Sequence, residues 1–151
     1  MNLQNSGTLL SYVMDKYEKS NSPIAVLLEL THNCNLRCIH CYVPNYRQPE
    51  GTLLTLCEWE KVVSDMVDLG VVRVILSGGE LMTRPDWYEI ANMIKEKGCL
   101  MTIFTNATMI DDDAAEKLAL INPSSVEISV YGADAVMYEE VTAIPGAFAR
   151  F

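Results

Sequence analysis

The stretch IAVLLELTHNCNLRCIHCY, residues 24–42, joins a run of apolar residues to a loop that contains three cysteines. The run over 24–31 is almost continuously apolar, which is typical of a parallel strand covered on both faces. Cys34, Cys38 and Cys41 follow it with the spacing C-x3-C-x2-C. Because these ligands lie in one short segment, we expect the loop to form as soon as the first strand is placed. The stretch predicts a buried strand that leads directly into a metal-binding loop.

The rest of the chain alternates between helical and strand patterns. Three more apolar runs predict strands at 71–76, 100–104 and 125–131. Polar residues that favour helix starts come before each intervening helical pattern, namely Thr55 with Glu58, Asp86, and the run 111–113. Strand and helix alternate with short connections. This pattern predicts an α/β fold with a parallel sheet and right-handed crossovers.

Composition and charge exclude several classes of function. The 151 residues suffice for one domain with a hydrophobic core, and the net charge of −9 disfavours nonspecific nucleic-acid binding. No apolar run approaches the roughly 20 residues of a membrane helix, and the first residues lack the features of an export signal. Five cysteines in such a chain indicate a reducing compartment, so we expect a cytoplasmic protein. Residues 1–19 predict an amphipathic segment, and 20–151 form the expected core domain.

Polar and glycine-rich residues follow or end each predicted strand. They occupy four stretches, at 34–41, 77–80, 105–108 and 129–132. In parallel α/β folds the carboxyl ends of strands lie at one edge, and ligands bind there. The four stretches therefore predict a single site.

The cysteine loop admits two kinds of inorganic centre. A structural zinc ion takes four protein ligands, and His32, His40 or Cys57 could supply the fourth. A cubane iron–sulfur cluster held by three cysteines leaves one iron open to a substrate or cofactor. The residues alone leave both alternatives open.

Four motifs in sequence order resemble the radical S-adenosylmethionine (radical SAM) superfamily. They are HNCNLRCIHCY, SGGE, TNAT and ISVYG, each at the end of a predicted strand. The resemblance implies an enzyme with an incomplete TIM-like (β/α)6 partial barrel, of which this chain supplies the first four β/α units with parallel strands. It also implies that Cys34, Cys38 and Cys41 hold a 4Fe–4S cluster. An electron from a flavodoxin- or ferredoxin-like donor would then cleave S-adenosylmethionine, and the 5′-deoxyadenosyl radical would abstract hydrogen from a substrate.

The resemblance also implies a set of cofactor-binding residues. These are His40 beside the adenine, Gly78 and Gly79 along the methionine part, Glu80 at the amino group, Asn106 at the third strand end, and Ser129 at the ribose. The two glycines let the backbone approach a ligand with no Cβ in the way. No residue that acts on the substrate is identified.

Three positions depart from the usual sequence motifs of the family. Leu81 stands where proline is common, and Ala107 and Ala143 stand where glycine is common. An alanine costs about 1 kcal/mol or more if the backbone there needs a positive φ. Cys57 and Cys99 are expected to be small buried residues and not ligands.

The segment YEEVTAIPGAF, residues 138–148, resembles a subgroup whose members modify peptides or proteins and carry an added SPASM domain. A peptide or protein substrate is therefore expected. The resemblance stops inside the fourth crossover, so we expect a chain truncated at its C-terminus relative to the full family core. The competing hypothesis is a non-catalytic iron–sulfur or zinc-binding module.

Overall fold

The computed structural model describes Tyr17, Gly51, and residues 22–43 and 53–151. The predicted N-terminal amphipathic segment lies outside these residues, apart from Tyr17. The hydroxyl of Tyr17 donates a hydrogen bond to the carbonyl of Gly70 at 2.7 Å, which ties this residue to the turn before the second strand.

Strands and helices alternate as the sequence predicts. In chain order the elements are β1 (Ala25–Glu29), α1 (Leu56–Asp68), β2 (Arg73–Ser77), α2 (Trp87–Glu96), β3 (Leu100–Thr105), α3 (Asp112–Ile121), β4 (Ser125–Ile128) and α4 (Ala135–Thr142). Short 3-10 helices cover Leu81–Thr83 and Phe148–Arg150. The strands form one sheet in the order β1-β2-β3-β4, and each neighbouring pair is parallel. The predicted α/β fold with four parallel strands is confirmed.

Two strands are shorter than the apolar runs that predicted them. β1 stops at Glu29, although the amide of Leu30 still bonds to the carbonyl of Ser77 at 3.0 Å. β4 stops at Ile128, and the amide of Ser129 makes one more bond, to the carbonyl of Thr105 at 3.1 Å. Beyond these points the chain leaves the sheet to build the loops at its carboxyl edge.

All three helices begin after the predicted capping residue, and the side chain makes the predicted capping hydrogen bond in two of three cases. Thr55 and Glu58 form the reciprocal capping box of α1, and the carboxylate of Asp111 accepts a hydrogen bond from the amide of Ala114 at 2.9 Å. The prediction for Asp86 is wrong. Its carboxylate accepts two hydrogen bonds from the Arg84 guanidinium, at 2.6 and 2.9 Å, because a buried cation needs a paired charge.

The helices α1, α2 and α3 cover one face of the sheet. Side chains that are fully enclosed between them include Val74, Leu76, Ile90, Ile94 and Ile103. A second, smaller apolar cluster lies below the cysteine loop and contains Leu36, Cys38, Tyr138 and Ala147. The first cluster holds the sheet to its helices, whereas the second holds the loop to α4 and the segment after it.

Ala107 and Ala143 both adopt the left-handed conformation that favours glycine. Their φ angles are 63° and 54°, and Ala143 is the residue that ends α4. The Cβ atom makes this conformation costly for any residue other than glycine. Alanine at these two positions, where the family commonly has glycine, therefore makes the local backbone conformation less favourable.

Replacing Ala143 by glycine should raise the free energy of unfolding by about 0.5–1 kcal/mol, since the residue is exposed and only its Cβ strain is removed. Urea titration monitored by circular dichroism measures the change. The matched control is Ala115→Gly, at an exposed position inside α3, which should destabilise by about 1 kcal/mol. Equal destabilisation by both substitutions would contradict the strain at Ala143.

Candidate active site

The carboxyl ends of the four strands surround one cavity of about 220 Å³. Residues from all four predicted stretches line it, namely Cys34, Cys38, His40, Cys41, Ser77, Gly78, Gly79, Thr105, Asn106, Ser129 and Tyr131. Thus eight of the nine predicted site residues meet at one place, and the ninth, Glu80, is buried beside it. The cavity also has apolar walls from Leu36, Val43 and Phe104.

The glycine pair after β2 holds the start of the cysteine loop. A Cβ atom on Gly78 would lie 2.5 Å from the carbonyl oxygen of Thr31, and one on Gly79 would lie 2.4 Å from that of Asn33. The Gly79 amide donates to the Thr31 carbonyl at 2.7 Å, and the Glu80 amide donates to the Asn33 carbonyl at 2.8 Å. The expected reason for these glycines was approach to a ligand. The structure adds a second reason, which is the close approach of the chain's own backbone.

The other side of the loop rests on the C-terminal end of α4. The amides of Arg37 and Ile39 donate to the carbonyls of Thr142 and Val141, at 2.9 and 3.0 Å. The last carbonyls of a helix have no partner within the helix, so these bonds satisfy groups that would otherwise need water. In the folded chain the loop is thus held by residues about a hundred positions away as well as by β1 and the turn after β2.

The thiols differ in their surroundings. The Cys34 Sγ accepts hydrogen bonds from the Leu36 amide at 3.4 Å and from the Asn106 side-chain amide at 3.9 Å. Cys38 is buried in the apolar cluster against which Tyr131 packs. Burial raises the pKa of both Cys34 and Cys38 above that of a free thiol. Since a metal binds the thiolate, coordination here would release protons and recover the desolvation cost.

Glu80 is buried, with 1% of its surface exposed, and its carboxylate is enclosed by protein donors. The Thr105 hydroxyl lies 3.0 Å from both oxygens, the Asn106 amide donates to one at 2.7 Å, and the Met82 amide donates to the other at 3.2 Å. Burial raises the pKa of this carboxyl, and the backbone hydrogen bonds oppose the rise. In this arrangement Glu80 links the end of β2 to the end of β3.

Asn106 lies at the centre of a polar network beside Cys34. Its side chain donates to the side-chain oxygen Oδ1 of Asn35 at 3.0 Å and accepts from the Thr108 hydroxyl at 2.7 Å. The Asn35 amide closes the network with a 2.7 Å bond to the same hydroxyl. Glu80 therefore positions the backbone of the residue whose side chain contacts a cysteine.

The other predicted residues lie on the opposite wall. His40 is exposed on the cysteine loop, and its ring lies 5.3 Å from that of Tyr131. Ser129 lines the cavity together with the same tyrosine. Tyr131, Asn35 and Thr105 were not predicted as site residues, although all three lie within the recognised motifs. Their orientation, which only the fold supplies, is what makes them part of the site.

Three thiols in one loop fit a cubane cluster with one open iron. Within the described part of the chain, no group of three His, Cys, Asp or Glu side chains converges on one metal position. A cubane spreads its three cysteines over three irons, so its ligands do not need to converge. Of the three predicted fourth zinc ligands, His40 lines the cavity with the cysteines, whereas the other two lie elsewhere. His32 contacts Glu29 at 3.6 Å, and Cys57 is exposed in the first turn of α1, contrary to its expected burial.

Comparisons with known proteins agree with the motifs. The sequence pattern of the Radical SAM superfamily matches residues 28–149. The chain is 34% identical over 131 residues to the AdoMet-dependent heme synthase of Methanosarcina barkeri, covering 87% of this chain and 38% of that protein. It is also 34% identical over 128 residues to the PqqA peptide cyclase of Rhodopseudomonas palustris, covering 85% and 34%.

A solved structure has the same fold. Streptococcus suis SuiB, bound to the precursor peptide SuiA, aligns with a TM-score of 0.72 and 23% identity over 96% of this chain and 34% of SuiB. The fold is a partial barrel of the TIM-like kind. This chain belongs to the radical SAM superfamily, whose cofactors are a 4Fe–4S cluster and S-adenosylmethionine.

The chain spans about a third of the length of the relatives that it matches. Within the described residues, no helix has both the length and the apolar character needed to span a bilayer.

Replacing Glu80 by glutamine should lower the free energy of unfolding by about 1–3 kcal/mol. Each carboxylate oxygen accepts a backbone N–H, so either orientation of the new amide places its NH2 group against a donor. Urea titration measures the loss, and Glu116→Gln, the same change at an exposed position in α3, is the control. If the two variants had the same free energy of unfolding, the Glu80 carboxylate would be free to bind a ligand.

Replacing Ile39 by proline should sharply lower the iron bound after anaerobic reconstitution. Proline removes the N–H that bonds to Val141 but leaves all three cysteines in place. The control is Ile39→Ala, which should keep the iron content, because this side chain is 73% exposed. Full iron loading of the proline variant would mean that the contact with α4 is dispensable.

Proposed function

We propose that this chain is the cofactor-binding part of a radical SAM enzyme, with Cys34, Cys38 and Cys41 as the protein ligands of the 4Fe–4S cluster. One observation carries the proposal: the three thiols line the same cavity as the carboxyl ends of all four strands. When bound, the cluster supplies the electron that cleaves S-adenosylmethionine to a 5′-deoxyadenosyl radical, which abstracts a hydrogen atom from the substrate.

The chain's own residues hold the loop and shape the cavity. Gly78 and Gly79 line the cavity and fix the loop start, because a Cβ at either position would collide with the backbone of Thr31 or Asn33. Asn106 presents an amide to Cys34, and the buried Glu80 fixes the backbone of Asn106.

The remaining assignments follow from the resemblance and from position. His40 lines the cavity beside Tyr131 and suits contact with an adenine ring. Ser129 offers a hydroxyl at the end of β4, where a ribose would find a hydrogen-bond partner. Glu80 is proposed to reach the amino group of the cofactor only if the bonds from Thr105 and Asn106 rearrange.

A peptide or protein substrate is the proposal for the whole protein. Two similarities support it: the PqqA peptide cyclase is named for its action on a peptide, and SuiB is bound to its precursor peptide SuiA. A flavodoxin- or ferredoxin-like donor would supply the electron, and a cytoplasmic location would keep the five thiols reduced.

Replacing Cys38 by alanine should abolish the cluster, because two thiolates leave two irons without a protein ligand. Iron and sulfide analysis after anaerobic reconstitution measures the loss, and release of 5′-deoxyadenosine in the presence of dithionite measures cofactor cleavage. The control, Cys57→Ala, changes an exposed thiol in α1 and should keep both.

Full iron and sulfide content in Cys38→Ala would overturn the ligand assignment. A different result, a wild-type protein with a complete cluster but no 5′-deoxyadenosine, would favour the non-catalytic iron–sulfur module. One tightly bound zinc per chain without sulfide would favour the zinc module.

A further inference from the structure

Arg37, between the first and second cysteines of the loop, has a guanidinium that folds back onto the loop itself. Its Nη1 atom donates to the carbonyl of Cys34 at 2.7 Å and to the carbonyl of Leu36 at 2.6 Å. Both acceptors lie in the C-x3-C segment that joins two of the proposed cluster ligands. The side chain of Arg37 is therefore bonded to the backbone of the segment whose sulfurs would bind iron.

The backbone of Arg37 is held as firmly as its side chain. Its amide donates to the carbonyl of Thr142 at 2.9 Å, and the preceding residue, Leu36, is buried in the apolar cluster below the loop. Arg37 itself is half-buried. Fixing a long side chain costs rotamer entropy, and hydrogen bonds from an ionised donor are strong enough to offset that cost. The guanidinium thus has a defined place within the loop.

The cavity beside this arginine contains acidic groups and no strong base. Among the described residues that line it there is no lysine or arginine, whereas three thiols line it and the buried carboxyl of Glu80 lies next to it. A metal takes cysteine in its thiolate form, so a loaded site gathers negative charge in this loop. The guanidinium of Arg37 brings a positive charge to the same loop.

We propose that Arg37 is a positioning residue whose guanidinium holds the loop carbonyls and whose positive charge raises the reduction potential of the bound cluster. Because it needs a cluster on the three cysteines, this role rests on the proposed function. An electron that enters the cluster makes it more negative, so a nearby cation stabilises the reduced form more than the oxidised form. One electron passes from the reductant to the cluster, and no proton moves.

Charge and hydrogen bonding can be separated at this position. Lysine keeps the positive charge but lacks the planar guanidinium, and glutamine keeps an NH2 donor but lacks the charge. A residue that only closed the turn between the cysteines would need a donor and not a charge. The two substitutions therefore give different results for an electrostatic role and for a purely structural one.

The test compares Arg37→Gln with Arg37→Lys in the anaerobically reconstituted protein, without S-adenosylmethionine. Iron and sulfide content should stay near the wild type, because the cysteines and the backbone bond to Thr142 remain. A redox titration followed by electron paramagnetic resonance should give a more negative midpoint for Arg37→Gln and a wild-type midpoint for Arg37→Lys. At a fixed potential, the ratio of reduced to oxidised cluster should fall about tenfold in Arg37→Gln, which is about 59 mV for a one-electron couple.

The matched control is Arg73→Gln, which removes the same charge from the chain. Arg73 is exposed at the first position of β2, at the opposite edge of the sheet from the cysteine loop. Salt screens the interaction between distant surface charges, so this variant should keep the wild-type midpoint.

Three results would overturn the inference and leave the proposed function standing. They are a wild-type midpoint in a fully loaded Arg37→Gln, an equal shift in Arg37→Lys, and an equal shift in Arg73→Gln. Absence of a cluster from the wild type would instead overturn the proposed function.

The lysine variant keeps the inference testable if Arg37→Gln binds too little iron to titrate. Full iron content and a wild-type midpoint in Arg37→Lys would then support the inference, because lysine preserves the charge without the planar donor group. Iron loss in both variants, or a shifted midpoint in Arg37→Lys, would assign Arg37 to holding the turn alone and overturn the inference.

Discussion

The site depends on the way in which the backbone of the cysteine loop is held from two sides. The carbonyls of Thr31 and Asn33 bond to the turn after β2, and the amides of Arg37 and Ile39 bond to the last carbonyls of α4. Buried backbone groups need partners, so the loop has its shape only when both neighbours are in place. The cysteines themselves contribute none of these bonds with their side chains. The positions of the three cysteines are therefore set by parts of the chain that contain none of these cysteines.

A second constraint ties the strand ends to each other. The buried carboxylate of Glu80 accepts from Thr105 and from the amides of Asn106 and Met82. A buried carboxylate is costly unless donors satisfy it, and here they come from two segments of the chain. The position of Asn106 beside Cys34 thus depends on Glu80, although Glu80 has no hydrogen bond to Cys34. This arrangement gives the acidic residue of SGGE a structural task in addition to the one that the family resemblance implies.

The sequence was a good guide to elements and a partial guide to contacts. The strands, the caps of α1 and α3, and the meeting of the four polar stretches follow from local patterns. The prediction of Asp86 as a cap is wrong because Arg84, two residues earlier, is buried and takes its carboxylate. Cys57 was expected to be buried, but it lies on the exposed side of α1. For Asp86 a neighbouring buried cation overrode the capping preference, and for Cys57 the orientation of α1 overrode the preference of cysteine for burial.

The sequence by itself determined the fold class, the strand order along the chain and the identity of the three thiols, because periodicity and the spacing of ligands are local properties. It also marked Ala107 and Ala143 as positions where a positive φ would be costly, and both adopt one. Only the tertiary structure decided which way side chains point at the strand ends. The packing of Tyr131 against the cluster that contains Cys38, and the hydrogen bond from Asn106 to the buried Glu80, join residues far apart in sequence, and no local pattern records such contacts.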